Sequence, residues 1–103
     1  MPKQDQELLR QQLKNQIPHE RDFEAATGYS EAAIKQGTWL TTTLWNDYGW
    51  SEVLTEYGIS WQKFMKAFRW SQYDFLKWQR DRKNWEAAMN EFIEQILEET
   101  SAG

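Results

Sequence analysis

Apolar residues recur at three- and four-residue steps along nearly the whole chain, the spacing of helix faces rather than strands. Leu9, Leu13 and Ile17, with Leu8 beside them, mark an amphipathic helix over Asp5 to Ile17, backed by Gln, Lys and Arg and stopped by Pro18. Arg21 to Thr27 predicts a short helix ended by Gly28, because glycine accepts the left-handed backbone at which helices stop. Ser30 is placed to cap a second short helix through Gln36, its hydroxyl accepting from a first-turn amide that has no partner in the helix. The segment TWLTTTLWNDYGW is ambiguous, since consecutive threonines favour strands. Leu40, Leu44 and Tyr48 keep a helical step and no partner strand with period-two alternation exists, so a helix is expected over 38–48.

Asn46, Asp47 and Gly49 then break the chain before Ser51, the expected cap of a helix EVLTEY that Gly58 ends. Ser60 caps WQKFMKAFR, and Ser71, with Asp74 three residues on, has the look of a capping box for the next helix. No Gly or Pro interrupts Gln72 to Glu99. Either one helix of nearly 28 residues runs there, or QRDRKN, which has no apolar residue, splits it and Asn84 caps the last piece. The expectation is an all-α, compact multi-helix single domain over 1–103: an N-terminal helix (5–17), two repeat-like units (21–50 and 51–80) forming tandem helical hairpins, and a long C-terminal helix whose end, 84–99, is acidic.

The two units align without gaps. Phe23, Gly28, Tyr29, Ser30, Ile34, Leu40 and Trp45 fall on Val53, Gly58, Ile59, Ser60, Phe64, Trp70 and Phe75. Each resembles the helix-turn-helix motif of small phage, plasmid and transposon regulators: in the second unit Val53, Gly58, Ile59, Ser60 and Phe64 occupy the motif positions, with Ala67 as the inward small residue. Both units depart from it four residues before the glycine, where Glu24 and Leu54 stand in place of a small residue. The resemblance implies that the helix opened by Ser60 enters the major groove of duplex DNA. Ser60, Gln62, Lys63, Lys66 and Arg69 are then the reading residues, and Lys77, Arg80 and Lys83, three apart on the next helix, clamp the backbone. The first unit offers Glu31, Ala32, Ala33 and Lys35 at the same places and no basic face.

Charge sharpens this picture and also complicates it. The formal net charge is −4, whereas nucleic-acid-binding domains are usually basic. Between Trp61 and Lys83, however, seven cations face two aspartates, and from Asn84 onward there are five glutamates and no cation. Seven Trp, four Tyr and five Phe can build a core from rings. Trp61, beside the capping serine on the outward side, is the expected exception, and exposed rings favour protein partners. Trp78, Trp85 and Phe92 fall seven apart, with Met89 and Ile96 between them, so together with Trp61 they form the expected partner interface or homodimer seam, unless they pack on the chain's own core. A helical protein-interaction module, an adaptor or an inhibitor of a host protein, is therefore the alternative to a DNA-binding regulator of a mobile element.

Without cysteine there can be no disulfide, thiolate site or cysteine nucleophile. The one histidine, His19, lacks a metal-ligand pattern around it and reads as a surface residue. No Gly-rich phosphate loop, nucleophile-base pair or paired carboxylates occur, so no enzyme activity, metal or cofactor is expected. Neither a signal-like apolar run nor a membrane-length stretch is present, and the expected location is the cytoplasm with no membrane partner.

Overall fold

The computed structural model describes residues 3–28, 30–81 and 84–101. Among these the protein is all-α: α1 (Lys3–Lys14), α2 (Glu20–Thr27), α3 (Glu31–Gln36), α4 (Thr38–Thr42) continuing into a π-helical turn (Thr43–Asp47), α5 (Trp50–Glu56), α6 (Trp61–Asp81) and α7 (Trp85–Ser101). At about 1.5 Å per residue, the 21 residues of α6 span most of the molecule's 38 Å length. α6 pairs with α7, and the other helices pack around this hairpin: α1 against α7 and α5, α3 against α6, α2 against α4.

Local capping follows the sequence at both hairpins. The Ser30 hydroxyl accepts from the Ala33 amide and the Ser60 hydroxyl from the Lys63 amide, each at 3.3 Å. Gly28 and Gly58, the helix stops before them, both sit in the left-handed region. The correspondence ends there, because Gly37 stops α3 after six residues whereas α6 runs on for 21. Leu40 is accordingly buried while its counterpart Trp70 is 65% exposed. Tyr29 lies outside the described residues.

Three expectations are corrected and one open alternative is decided. Ser71 does not cap a helix: it is buried inside α6, and its hydroxyl finds no hydrogen-bond partner among the described residues. Burial against neighbouring rings outweighed its local capping tendency. Of the two alternatives for 72–99, the split is the one found: α6 and α7 are separate helices, and the Asn84 side-chain oxygen accepts from the Glu86 amide at 2.9 Å. Ser51 also caps nothing, since α5 begins a residue earlier at Trp50 behind Gly49. α1 ends at Lys14, before Ile17, and turns Leu8 outward, 56% exposed.

The threonine run is helical, with Leu40 and Leu44 buried on one face and its hydroxyls bonded within the helix. Thr41 donates to the Gly37 carbonyl at 2.7 Å and Thr42 to that of Thr38, which satisfies groups that otherwise favour extended backbone. The next turn widens, and the Tyr48 amide donates to the Thr43 carbonyl five residues back at 3.1 Å.

Rings make the core. Phe23 contacts Trp85, Trp78, Trp39 and Phe75 with centroids 4.8–6.2 Å apart, and Phe92 meets Trp50, Phe64, Phe68 and Phe75 at 5.5–6.0 Å. The three most buried indoles place their N–H groups on one connector. Trp50 donates to the Gln16 carbonyl at 2.9 Å, Trp85 to the Pro18 carbonyl at 2.8 Å and Trp78 to the Glu20 carboxylate at 2.8 Å. Burying an indole N–H without a partner costs about 1–3 kcal/mol, so each donor needs this connector in place.

Two glycine substitutions separate backbone strain from crowding. Gly37 and Gly58 both have positive φ, but a Cβ at Gly37 would overlap the Phe68 ring while one at Gly58 meets nothing within 4 Å. In urea unfolding, Gly58→Ala is expected to cost about 1 kcal/mol from backbone strain alone. Gly37→Ala is expected to cost at least 1 kcal/mol or so more, as overpacking commonly does.

Candidate functional site

The outer face of α6 brings most of the predicted reading and clamping residues together. At 100° per residue, Gln62, Lys66, Arg69, Tyr73, Lys77 and Arg80 line the side opposite the buried Phe64, Ser71, Phe75 and Trp78. Ser60, Gln62, Lys63, Lys66, Arg69, Lys77 and Arg80 are all exposed or half-buried. Lys83 lies outside the described residues. Because the helix does not break at Ser71, the two groups expected on separate helices form one strip, about 27 Å long from Gln62 to Arg80. Arg80 thereby falls in the last turn of α6, where the helix macrodipole favours cations.

Two aromatic residues stand at the middle of the strip, where the sequence interleaves rings with cations. Trp70 is 65% and Tyr73 67% exposed, among the largest exposed apolar side chains of the chain. A helix break expected at Ser71 hides their continuity with Lys66 and Lys77. Trp61, the ring expected to stand out, is 38% exposed and packs edge-on against Trp45 and tilted against Phe64, so it caps the core's edge.

The remaining predicted interface residues are corrected. Trp78, Trp85, Met89, Phe92 and Ile96 are between 0% and 6% exposed and pack within the chain's own core. Their seven-residue spacing is used inside the molecule: it marks the seam where α6 meets α7, and in the folded chain it presents no open surface to a second copy.

Glutamates of α7 flank the basic strip. Lys66 pairs with Glu99 at 3.3 Å, and further along Asp74 and Lys77 share a cleft of about 200 Å³ with Ala87, Ala88 and Glu91. Burial holds the Asp74 carboxyl above the ordinary aspartate range, an effect that nearby Lys77 partly offsets. On the other side of α7, Glu94 accepts from Arg10 in a fork, at 2.6 Å to Nε and 2.9 Å to Nη2, and Arg10 also bonds Glu7. Hydrogen bonding from Arg10 outweighs desolvation and holds Glu94 below the usual glutamate range.

A cleft of about 630 Å³ lies at the connector between Ile17, His19, Glu20, Asn84 and Trp85. Of its two carboxylates, Glu20 and Glu86, the first is engaged by the Trp78 indole. Among the described residues no group of three His, Cys, Asp or Glu could hold a metal ion, and no helix is long and apolar enough to cross a membrane.

The two shifted carboxylates act oppositely on stability. Glu94, with a lowered folded-state pKa, stabilises at neutral pH, and this is lost as pH falls through that value. Asp74, with a raised one, destabilises when charged, and the cost is relieved as pH falls through its value. Denaturation series run from neutral to acid pH are expected to show Glu94→Gln less stable at neutral pH by of order 1 kcal/mol, with the difference closing in acid. Asp74→Asn is expected to be more stable at neutral pH, its advantage also fading in acid.

Comparison with protein-family models, with curated proteins and with solved structures returned no match, so this face is interpreted on its own chemistry.

Proposed function

We propose that the chain is a non-catalytic helical protein-interaction module that docks a partner protein through the outer face of α6. The observation that carries this is the pair of exposed rings, Trp70 and Tyr73, set among Lys66, Arg69, Lys77 and Arg80. Trp, Tyr and Arg are the residue types enriched where binding energy concentrates in protein interfaces. A duplex-reading helix needs polar side chains reaching base edges, and two bulky rings in the middle of the face fill that space instead. The acidic residues close to the strip, Glu99 and Asp74 among them, also oppose phosphate. Adaptor or inhibitor is the role such a module fills.

A second reading, binding of duplex DNA, is favoured by one observation: the first turns of α6 present Ser60, Gln62, Lys63, Lys66 and Arg69 together. Against it, Leu54 is fully buried at the position where the helix-turn-helix pattern has a small residue.

One experiment separates the readings. A labelled duplex titrated at about 50 mM salt, where phosphate contacts are strong, is expected to show no binding that depends on Lys66 and Arg69. Affinity capture of a protein partner is expected to survive Lys66→Ala/Arg69→Ala with weakened retention and to fall at least about tenfold with Trp70→Ala/Tyr73→Ala, as loss of an aromatic hot spot does. Duplex binding abolished by the Lys66 and Arg69 changes would overturn the protein reading.

A further inference from the structure

We propose that the partner on the outer face of α6 is a second copy of this chain, forming a two-fold dimer in which the basic strip of α6 lies over the acidic strip of α7 from the other copy. The inference rests on the protein-docking reading and names the occupant.

The α7 helix carries its own outward strip. Ala87, Glu91, Glu94 and Glu98 follow at steps of four, three and four, and Ala87, Glu91 and Glu98 are exposed. Glu94 is already neutralised by Arg10, which leaves Glu91 and Glu98 as the outward anions of the strip. Antiparallel pairing of the two helices fixes the levels. Lys66 meets Glu99 at one end, and Lys77 shares a cleft with Ala87 and Glu91 nearer the other. The strips therefore stand side by side on the face turned away from the core, with the cations of α6 at the same heights as the glutamates of α7.

That layout is self-complementary under one symmetry operation. A two-fold axis parallel to the helices, midway between them and just above the face, keeps every residue at its height and carries α6 over α7. Lys66 and Arg69 of one copy then face Glu98 of the other, and Lys77 faces Glu91. Trp70 and Tyr73 fall at the centre, where they are desolvated from both sides. Such a contact uses the same patch twice and closes on itself, as two-fold interfaces do. The face is about 27 Å long and two helices, about 20 Å, wide, so the contact buries about 1,100 Å² over both copies, just under the roughly 1,200–2,000 Å² of stable specific interfaces and in the range of weak ones. A reversible dimer weakened by salt is the expected result.

Sedimentation equilibrium of the full chain tests this at protein concentrations from about 10 μM to about 1 mM and at salt from about 50 mM to about 500 mM, the range over which screening grows strong. The wild type is expected to double its mass at low salt and to lose at least about tenfold in association at high salt. Two variants reverse the strips separately: Lys66→Glu/Arg69→Glu/Lys77→Glu makes both acidic, and Glu91→Lys/Glu98→Lys makes both basic. Each alone is expected to remain monomeric with an unchanged helical circular dichroism spectrum. Mixed one to one they are expected to form a heterodimer, because both halves of the contact are then complementary. A monomeric wild type throughout, or a dimer indifferent to the charge reversals, would overturn the second copy as occupant. A monomer that still loses capture of a different protein through Trp70→Ala/Tyr73→Ala would reject the dimer and leave the docking reading standing.

Discussion

Three indole N–H groups converging on residues 16–20 set the terms for the rest of the molecule. They come from α5, α6 and α7, elements remote in sequence from that connector, and two of them end on backbone carbonyls. A buried tryptophan brings large apolar area and one donor that must be satisfied. Satisfying three such donors on one short segment orients the helices that carry them. It also fixes where α1 leaves the bundle, and hence the approach of Arg10 to Glu94 on α7. The ring-dominated core and the placement of the N-terminal helix are thus consequences of the same bonds.

The inner surface of the α6–α7 hairpin is given over to rings and its outer surface to charge. Because the core-facing positions of α6 are filled by Phe64, Phe68, Phe75 and Trp78, the cations between them have only one direction left. The same holds for the glutamates of α7 between Trp85, Met89, Phe92 and Ile96. Charge separation along the sequence becomes charge separation across neighbouring helices. It leaves a net acidic protein with a local basic strip, and that strip carries two rings that the core did not absorb.

Residues whose roles depend on near neighbours are legible in the sequence. Ser30, Ser60, Asn84 and the glycines that precede the hairpins act through bonds within a few residues, and their chemistry can be read directly. Ser71 is not legible, because a serine followed by an acid three residues on is a capping signal only if the preceding turn ends. Here Phe68 and Phe75 are both buried, and packing carries the helix straight through it. A break expected there has a further cost, dividing the strip in two and hiding Trp70 and Tyr73. The heptad spacing of Trp78, Trp85 and Phe92 is real, but spacing does not say whether the facing helix belongs to the same chain. The threonine run follows the burial of Leu40 and Leu44 at a helical step, with its hydroxyls bonded to carbonyls four residues back, and strand propensity does not reveal this.

The sorting of the tryptophans also makes the protein its own optical reporter. Trp50, Trp78 and Trp85 sit in a dry, hydrogen-bonded interior, Trp39 and Trp45 at its margin, and Trp61 and Trp70 on α6 near water. A soluble ionic quencher reaches the last group most readily, while unfolding shifts the emission of the first. Without any label, the light from this chain therefore divides into one signal for the integrity of the fold and another for what covers the outer face of α6.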